Sequence, residues 1–148
     1  METNAKLFLS EPEKKRLLDA IQRAEDNTSG EIRVHFENHC KGDVLDRAAA
    51  VFARLGMVKT LNRNGVLFYV AVHSHKFAII GDAGINAKVP PQFWEGLKEG
   101  MLLHFKDGNF VTGLEIAIDA AGTELKKYFP WQTTDVNELP DTISTSTD

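Results

Sequence analysis

At 148 residues, 43% hydrophobic and 26% charged, the chain has the size and composition of one globular domain with a single good core. Its formal net charge of -4 comes from 17 basic and 21 acidic residues, and from Gln132 onward there are four acids and no Lys or Arg. The body is therefore near neutral, which excludes the clustered basic surface of a nucleic-acid binder and gives no electrostatic hold on a membrane.

Leu7-Phe8-Leu9 is too short for a signal-peptide core, and no apolar run approaches a membrane span. The reading is a cytoplasmic soluble protein. Residues 1–9 are an N-terminal extension, and the domain begins at Ser10-Glu11-Pro12-Glu13. There Ser10 can cap a helix, Glu13 stands three residues on, and proline is tolerated in the first turn. Leu17, Leu18, Ile21 and Ala24 follow at helical spacing, and Asn27-Thr28-Ser29-Gly30 ends the helix.

Residues 31–36 alternate, with Ile32, Val34 and Phe36 on one face of a strand. Asp43 is an N-cap for the next helix, whose stripe is Leu45, Ala48, Ala49, Phe52 and Leu55, and Gly56 can end it. Residues 65–72 are almost unbroken β-branched, aromatic and aliphatic side chains, the pattern of a strand covered on both faces. A short polar turn and the run 76–81 complete a β-hairpin. Strand, helix and strand make a βαβ unit, so 31–36 and 65–72 run parallel through a right-handed crossover. That topology gathers Glu31, Arg63-Asn64-Gly65 and Gly81-Asp82-Ala83-Gly84 on one rim of the sheet.

Residues 85–88 suit one helical turn. Pro90-Pro91 opens a helix that carries Phe93, Trp94, Leu97, Met101 and Phe105 inward, and Lys106-Asp107-Gly108-Asn109 breaks it. The last helix runs from Phe110 to about Tyr128, with Leu114, Ala117, Ile118, Ala121 and Leu125 on its core face. Trp131 is expected to be the last anchor of a domain spanning 10–131. The acidic, Ser/Thr-rich tail 132–148 is expected to be disordered. The fold class that follows is an α/β three-layer α/β/α sandwich. Its small mixed β-sheet combines one βαβ crossover with an antiparallel hairpin, and any fourth strand is placed near 57–60 or 88–89.

Residues 28–34, Arg63-Asn64-Gly65-Val66-Leu67, Gly81-Asp82-Ala83-Gly84-Ile85 and Phe105-Lys106-Asp107-Gly108-Asn109-Phe110 together resemble the TPM domain family, over about residues 10–130. That family includes thylakoid-lumen proteins linked to photosystem II repair. The resemblance implies an α/β/α sandwich and binding of a divalent cation, often calcium. For some members it also implies acid phosphatase activity.

Several residues can carry such a site. Asp82 is either a turn residue and N-cap or an oxygen ligand for a hard cation, with Gly81 and Gly84 freeing backbone carbonyls beside it. Asp107 and Asn109 are either a helix–helix turn or two further side-chain oxygens. Asn64 shares the rim, and Glu31 is either a solvated strand-end carboxylate or a ligand. Arg63 is an ion-pair partner of Asp82 or Glu31, or a cation facing an anionic ligand. Glu115 and Asp119 read as a solvated helix face. His35, His39 and Cys40, with His73-x-His75, lack standard zinc spacing. No nucleophile elbow or P-loop is present.

Three functions follow as expectations. The first is a non-catalytic module that binds calcium, or alternatively magnesium, through Asp82, Asn64, Glu31 and Asp107. The second is a metal-assisted phosphatase with Asp82 and Asp107 as ligands and Arg63 toward phosphate. The third is a scaffold for a protein partner.

Overall fold

A computed structural model describes residues 8–131 and 143–146. The first helix, α1 (Glu11–Glu25), starts on the expected capping box. Ser10 Oγ accepts from the Glu13 N–H, and Glu13 Oε1 accepts from the Ser10 N–H. Strand β1 (Glu31–Glu37) follows, then α2 (Val44–Arg54), whose N-cap Asp43 accepts from the N–H groups of Leu45 and Asp46. A 3-10 turn at Met57–Lys59 leads into β2 (Gly65–Ala71) and β3 (Lys76–Gly81). Helices α3 (Ala83–Asn86), α4 (Pro91–Lys106) and α5 (Phe110–Tyr128) come next, and β4 (Ile143–Ser146) is last.

The sheet order is β3-β2-β1-β4. Strands β1 and β2 are parallel, with Glu31 opposite Gly65, and β2 and β3 are the antiparallel hairpin. Every residue of β2 is buried, because alternate side chains enter two cores. Val66, Phe68 and Val70 join Ile32, Val34 and Phe36 under α1, α4 and α5. Leu67, Tyr69 and Ala71 pack on Ala48, Val51 and Phe52 of α2. This is the expected three-layer arrangement. Two residues of the expected α2 stripe, Leu45 and Ala49, are exposed instead; the face against the sheet is narrower and centres on Ala48, Val51 and Phe52. Glu115 and Asp119 pair with Arg16 and Arg23 of α1 rather than standing free in solvent.

The C-terminal segment differs most from expectation. Residues 143–146, expected to be disordered, form the fourth strand, parallel to β1 over Val34–Glu37. The sites suggested for that strand are a 3-10 turn at 57–59 and irregular chain at 88–89. Scattered aliphatics are a poor guide here, because β4 is held by backbone pairing on an open edge and by hydroxyls. His35 Nδ1 lies 2.7 Å from Ser144 Oγ and Nε2 lies 2.8 Å from Ser146 Oγ. A hydroxyl can donate or accept, so both nitrogens of a neutral imidazole are satisfied. Trp131, expected as the last anchor, is half exposed. Phe129 is buried in that role, and its carbonyl accepts from the Thr28 hydroxyl and the Ser29 N–H.

The outward-alternating face of β1 is not solvated. Glu31, Arg33, His35 and Glu37 are all buried. Glu37 accepts from Arg47 and from the Tyr69 hydroxyl. Burial pushes its carboxyl up, but those two donors outweigh it and hold it below the usual range. Burial also pushes His35 down from 6.5 to about 4, against the attraction of Glu37. The unfolded chain therefore binds a proton at this site between those values while the native state does not, and stability falls as pH drops through that window. We expect a loss of about 2–3 kcal/mol between pH 7.5 and pH 4.5 from this group. Urea titrations across that range should show it, and His35→Gln should flatten the profile. An equally steep profile in the variant would assign the loss to other groups.

Candidate functional site

Three separate segments meet at the rim formed by the start of β1, the start of β2 and the end of β3. The Glu31 N–H donates to the Asn64 carbonyl at 3.2 Å, the Asp82 N–H to the Gly65 carbonyl at 3.0 Å, and the Gly84 N–H to the Arg63 carbonyl at 2.9 Å. The rim is therefore tied together mainly by main chain. Arg63 adopts φ 51°, in the left-handed region, which turns its side chain back over the hairpin end. Its guanidinium clamps Asp82 in two bonds, Nε to Oδ2 at 2.7 Å and a terminal nitrogen to Oδ1 at 2.8 Å. Asp82 also caps α3 by accepting from the Ala83 N–H at 2.7 Å. Burial raises the Asp82 carboxyl, but Arg63 and the Ala83 N–H overcome that and hold it below the ordinary range.

Asn64 is 1% exposed. Its N–H donates to Thr60 Oγ1 and its Nδ2 group donates weakly to Ser29 Oγ at 3.4 Å. Its Oδ1 is buried with no hydrogen-bond partner. Glu31, expected as either solvated or a ligand, is 3% exposed beside it. The Gly81 carbonyl, expected to be open to a ligand, already accepts from Asn86 Nδ2 at 2.9 Å.

The structure thus brings together Glu31, Arg63, Asn64, Gly81, Asp82 and Gly84. It does not bring Asp107 and Asn109 to them. These two lie exposed between α4 and α5, at the opposite end of the sheet. The end of α4 packs by the hairpin turn: Phe105 meets Phe77 edge-on at 5.1 Å, and Lys106 shares a cavity wall with His75 and Lys76. Asn109 makes no side-chain cap on α5. The turn reading of Asp107-Gly108-Asn109 fits this place, with Asp107 at the C-cap of α4 and Gly108 at φ 79°.

Among the described residues no three His, Cys, Asp or Glu side chains stand together to hold a metal ion. The donor chemistry at the rim divides. Asp82 does not fit as a ligand, because both its oxygens are bonded to Arg63 and one also to the helix start. Glu31 and the unpartnered Asn64 oxygen do fit a hard cation, which takes carboxylate and amide oxygens.

Sequence reasoning missed a second polar group. At the carboxyl ends of β1 and β2, Glu37, His39, Lys41 and Arg47 line an open cleft, and His39 stacks on His73 with ring centroids 5.0 Å apart. The signal was the unbroken polar parity of Glu31, Arg33, His35 and Glu37, which reads as a solvent face when β2 alone is taken as the covered strand.

The closest approach at the rim is at Gly84, where a Cβ would stand 2.1 Å from the Asn62 carbonyl oxygen and 2.8 Å from that of Arg63. Gly84→Ala should cost about 3 kcal/mol or more, since backbone must move to admit the methyl. Gly96→Ala, on α4 with open space around it, should be neutral or stabilising by up to about 1 kcal/mol. Chemical denaturation of the two variants checks the contrast, and equal stabilities would show that the rim is soft.

The sequence matches the TPM domain family model over residues 3–124. No curated protein matches it. The fold is similar to the NMR structure of the BA42 protein from the psychrophilic bacterium Bizionia argentinensis. That match has a TM-score of 0.88 at 51% identity, covering 94% of this chain and 96% of that one. The N-terminal domain of the cg2496 protein from Corynebacterium glutamicum is similar at a TM-score of 0.63 and 11% identity, covering 93% and 80%. The N-terminal domain of a P. gingivalis protein is similar at 0.65 and 19%, covering 82% and 78%. The last two likenesses concern the fold alone.

Proposed function

As the chain belongs to the TPM domain family, we propose that it is a binding module taking a divalent cation, calcium before magnesium, at the rim shared by Glu31 and Asn64. The observation that carries this reading is the buried Asn64 Oδ1 with no hydrogen-bond partner. A buried amide oxygen left unbonded costs about 1–3 kcal/mol, and a hard cation is one group that satisfies it. Glu31 supplies the negative charge. Ser29 Oγ, which accepts from the Asn64 amide, is a neutral oxygen at the same rim. Asp82 serves the site indirectly, by fixing Arg63 and the start of α3. With one carboxylate, affinity in the range of about 0.1–1 mM is expected, as for weakly charged calcium sites.

Metal-assisted phosphatase chemistry would use the same cation, yet Arg63 is committed to Asp82 and Asp107 lies at the other end of the sheet. The geometry therefore favours binding over hydrolysis, with recognition of a protein partner through the same rim as the remaining use.

Titration of labelled protein with calcium to about 10 mM should move the amide signals of residues 29–31 and 64–65 first. Glu31→Gln should weaken binding about tenfold. Shifts confined to other loops, or affinity unchanged in Glu31→Gln, would overturn the assignment.

A further inference from the structure

The end of the sheet opposite the rim carries a separate, apolar feature. A cavity of about 180 Å3 opens between the hairpin and the α4–α5 corner. Its floor is the buried Val70 on the α4–α5 face of the sheet, and Phe77, Phe105 and Phe110 wall it. The rings are packed against one another, Phe77 edge-on to Phe105 at 5.1 Å and Phe105 to Phe110 at 4.7 Å, and form a continuous aromatic wall. Exposed Leu102 forms part of the mouth. The cavity sits at the carboxyl edge of β2, where open α/β sheets place their ligands.

Its volume and its charge narrow the occupant. Drug-sized sites run to about 300–1,000 Å3, whereas an apolar cavity of about 150 Å3 takes a single benzene ring. This one suits a six-carbon chain or one ring. Every charged or titratable side chain lining it is basic: His75, Lys76 and Lys106. The Lys76 ammonium is turned away, donating to the carbonyls of Gly42 at 2.8 Å and Cys40 at 3.3 Å, so its charge is not offered to the cavity. Lys106 and His75 are exposed at the mouth, and neither has an ion pair among the described residues. An apolar body with a single negative end would bury the body against the phenyl rings and leave the charge beside Lys106.

We propose that this cavity binds a small apolar monocarboxylate, a compact aliphatic or aryl acid of about six to ten heavy atoms. The occupant is held by the phenyl walls and selected by Lys106. Affinity is modest because so small a ligand buries little surface and the ion pair is exposed.

Hexanoate, phenylacetate and the neutral analogue hexanol, titrated into the full-length labelled protein, test this. Hexanoate should shift the amides of Val72, Phe77 and Phe105 with a Kd of about 1–10 mM, and hexanol should bind about two- to fivefold more weakly. Phenylacetate binding with the same shifts would extend the class to aryl acids, whereas hexanoate alone would restrict it to chains. Lys106→Gln should abolish the preference for the acid without loss of hexanol binding. Leu102→Gln, at an exposed position, should weaken both. The proposal is overturned by the absence of shifts at the cavity, by equal binding of acid and alcohol, or by a preference that survives Lys106→Gln. Calcium leaves these amides unmoved if the two sites are separate, so failure here would not bear on the rim.

Discussion

The complete burial of β2 is the constraint on which the rest of the structure depends. Seven consecutive residues have no solvent face, so each needs a partner in one of two cores or in the ladder. Burying a Val, Leu or Phe side chain is worth about 1.5–3 kcal/mol, and that gain is available only if helices cover both faces. Chain order supplies them: α2 as the crossover on one face, and α1, α4 and α5 on the other. The rim and the cavity are what remain at the two ends of this one strand.

Those ends are built by different means. At the rim, loop backbone bonds to loop backbone, and Gly84 lets the start of α3 close against Asn62 and Arg63. Among the described residues one amide oxygen there, Asn64 Oδ1, has no hydrogen-bond partner. At the hairpin end, packed aromatic side chains border an apolar space. A preorganised polar corner suits a small hard ion. An apolar space suits a compact hydrophobic body.

Most of this was legible where hydrophobic period and turn chemistry agree. The Ser10–Glu13 capping box, the Asp43 cap, the parallel βαβ unit and the hairpin all follow from residue patterns, and they place Glu31, Asn64 and Asp82 on one rim without coordinates. Asp107 and Asn109 were beyond such reasoning, because nothing local says which end of the sheet the α4–α5 corner reaches. That is decided by Phe105 finding Phe77, a contact far apart in sequence. Residues 143–146 were invisible for another reason. Their strand-forming tendency is weak, and what holds them is an open edge and a buried imidazole contributed by β1. Aromatic content alone does not make Trp131 an anchor, whereas the bonds to the Phe129 carbonyl fix where the chain leaves the core.

The polar face of β1 explains why so poor a strand can sit in one register. Pairing sets Ile143 opposite Val34 and Ser144 opposite His35. Ile143 then packs on the large core, while Ser144 and Ser146 reach the two imidazole nitrogens, and Arg54 donates to Ser146 Oγ at 3.1 Å. A slip of one residue would exchange these faces. Ile143 would lie against His35, whose nitrogens would lose their partners in a buried setting, and a serine would enter the apolar side. Each unsatisfied buried polar group costs about 1–3 kcal/mol, so the slipped pairing is disfavoured. His35 is thus kept neutral and buried, at a cost that appears only in acid. In return it specifies where the edge strand sits, which hydrophobic pattern in the tail could not do.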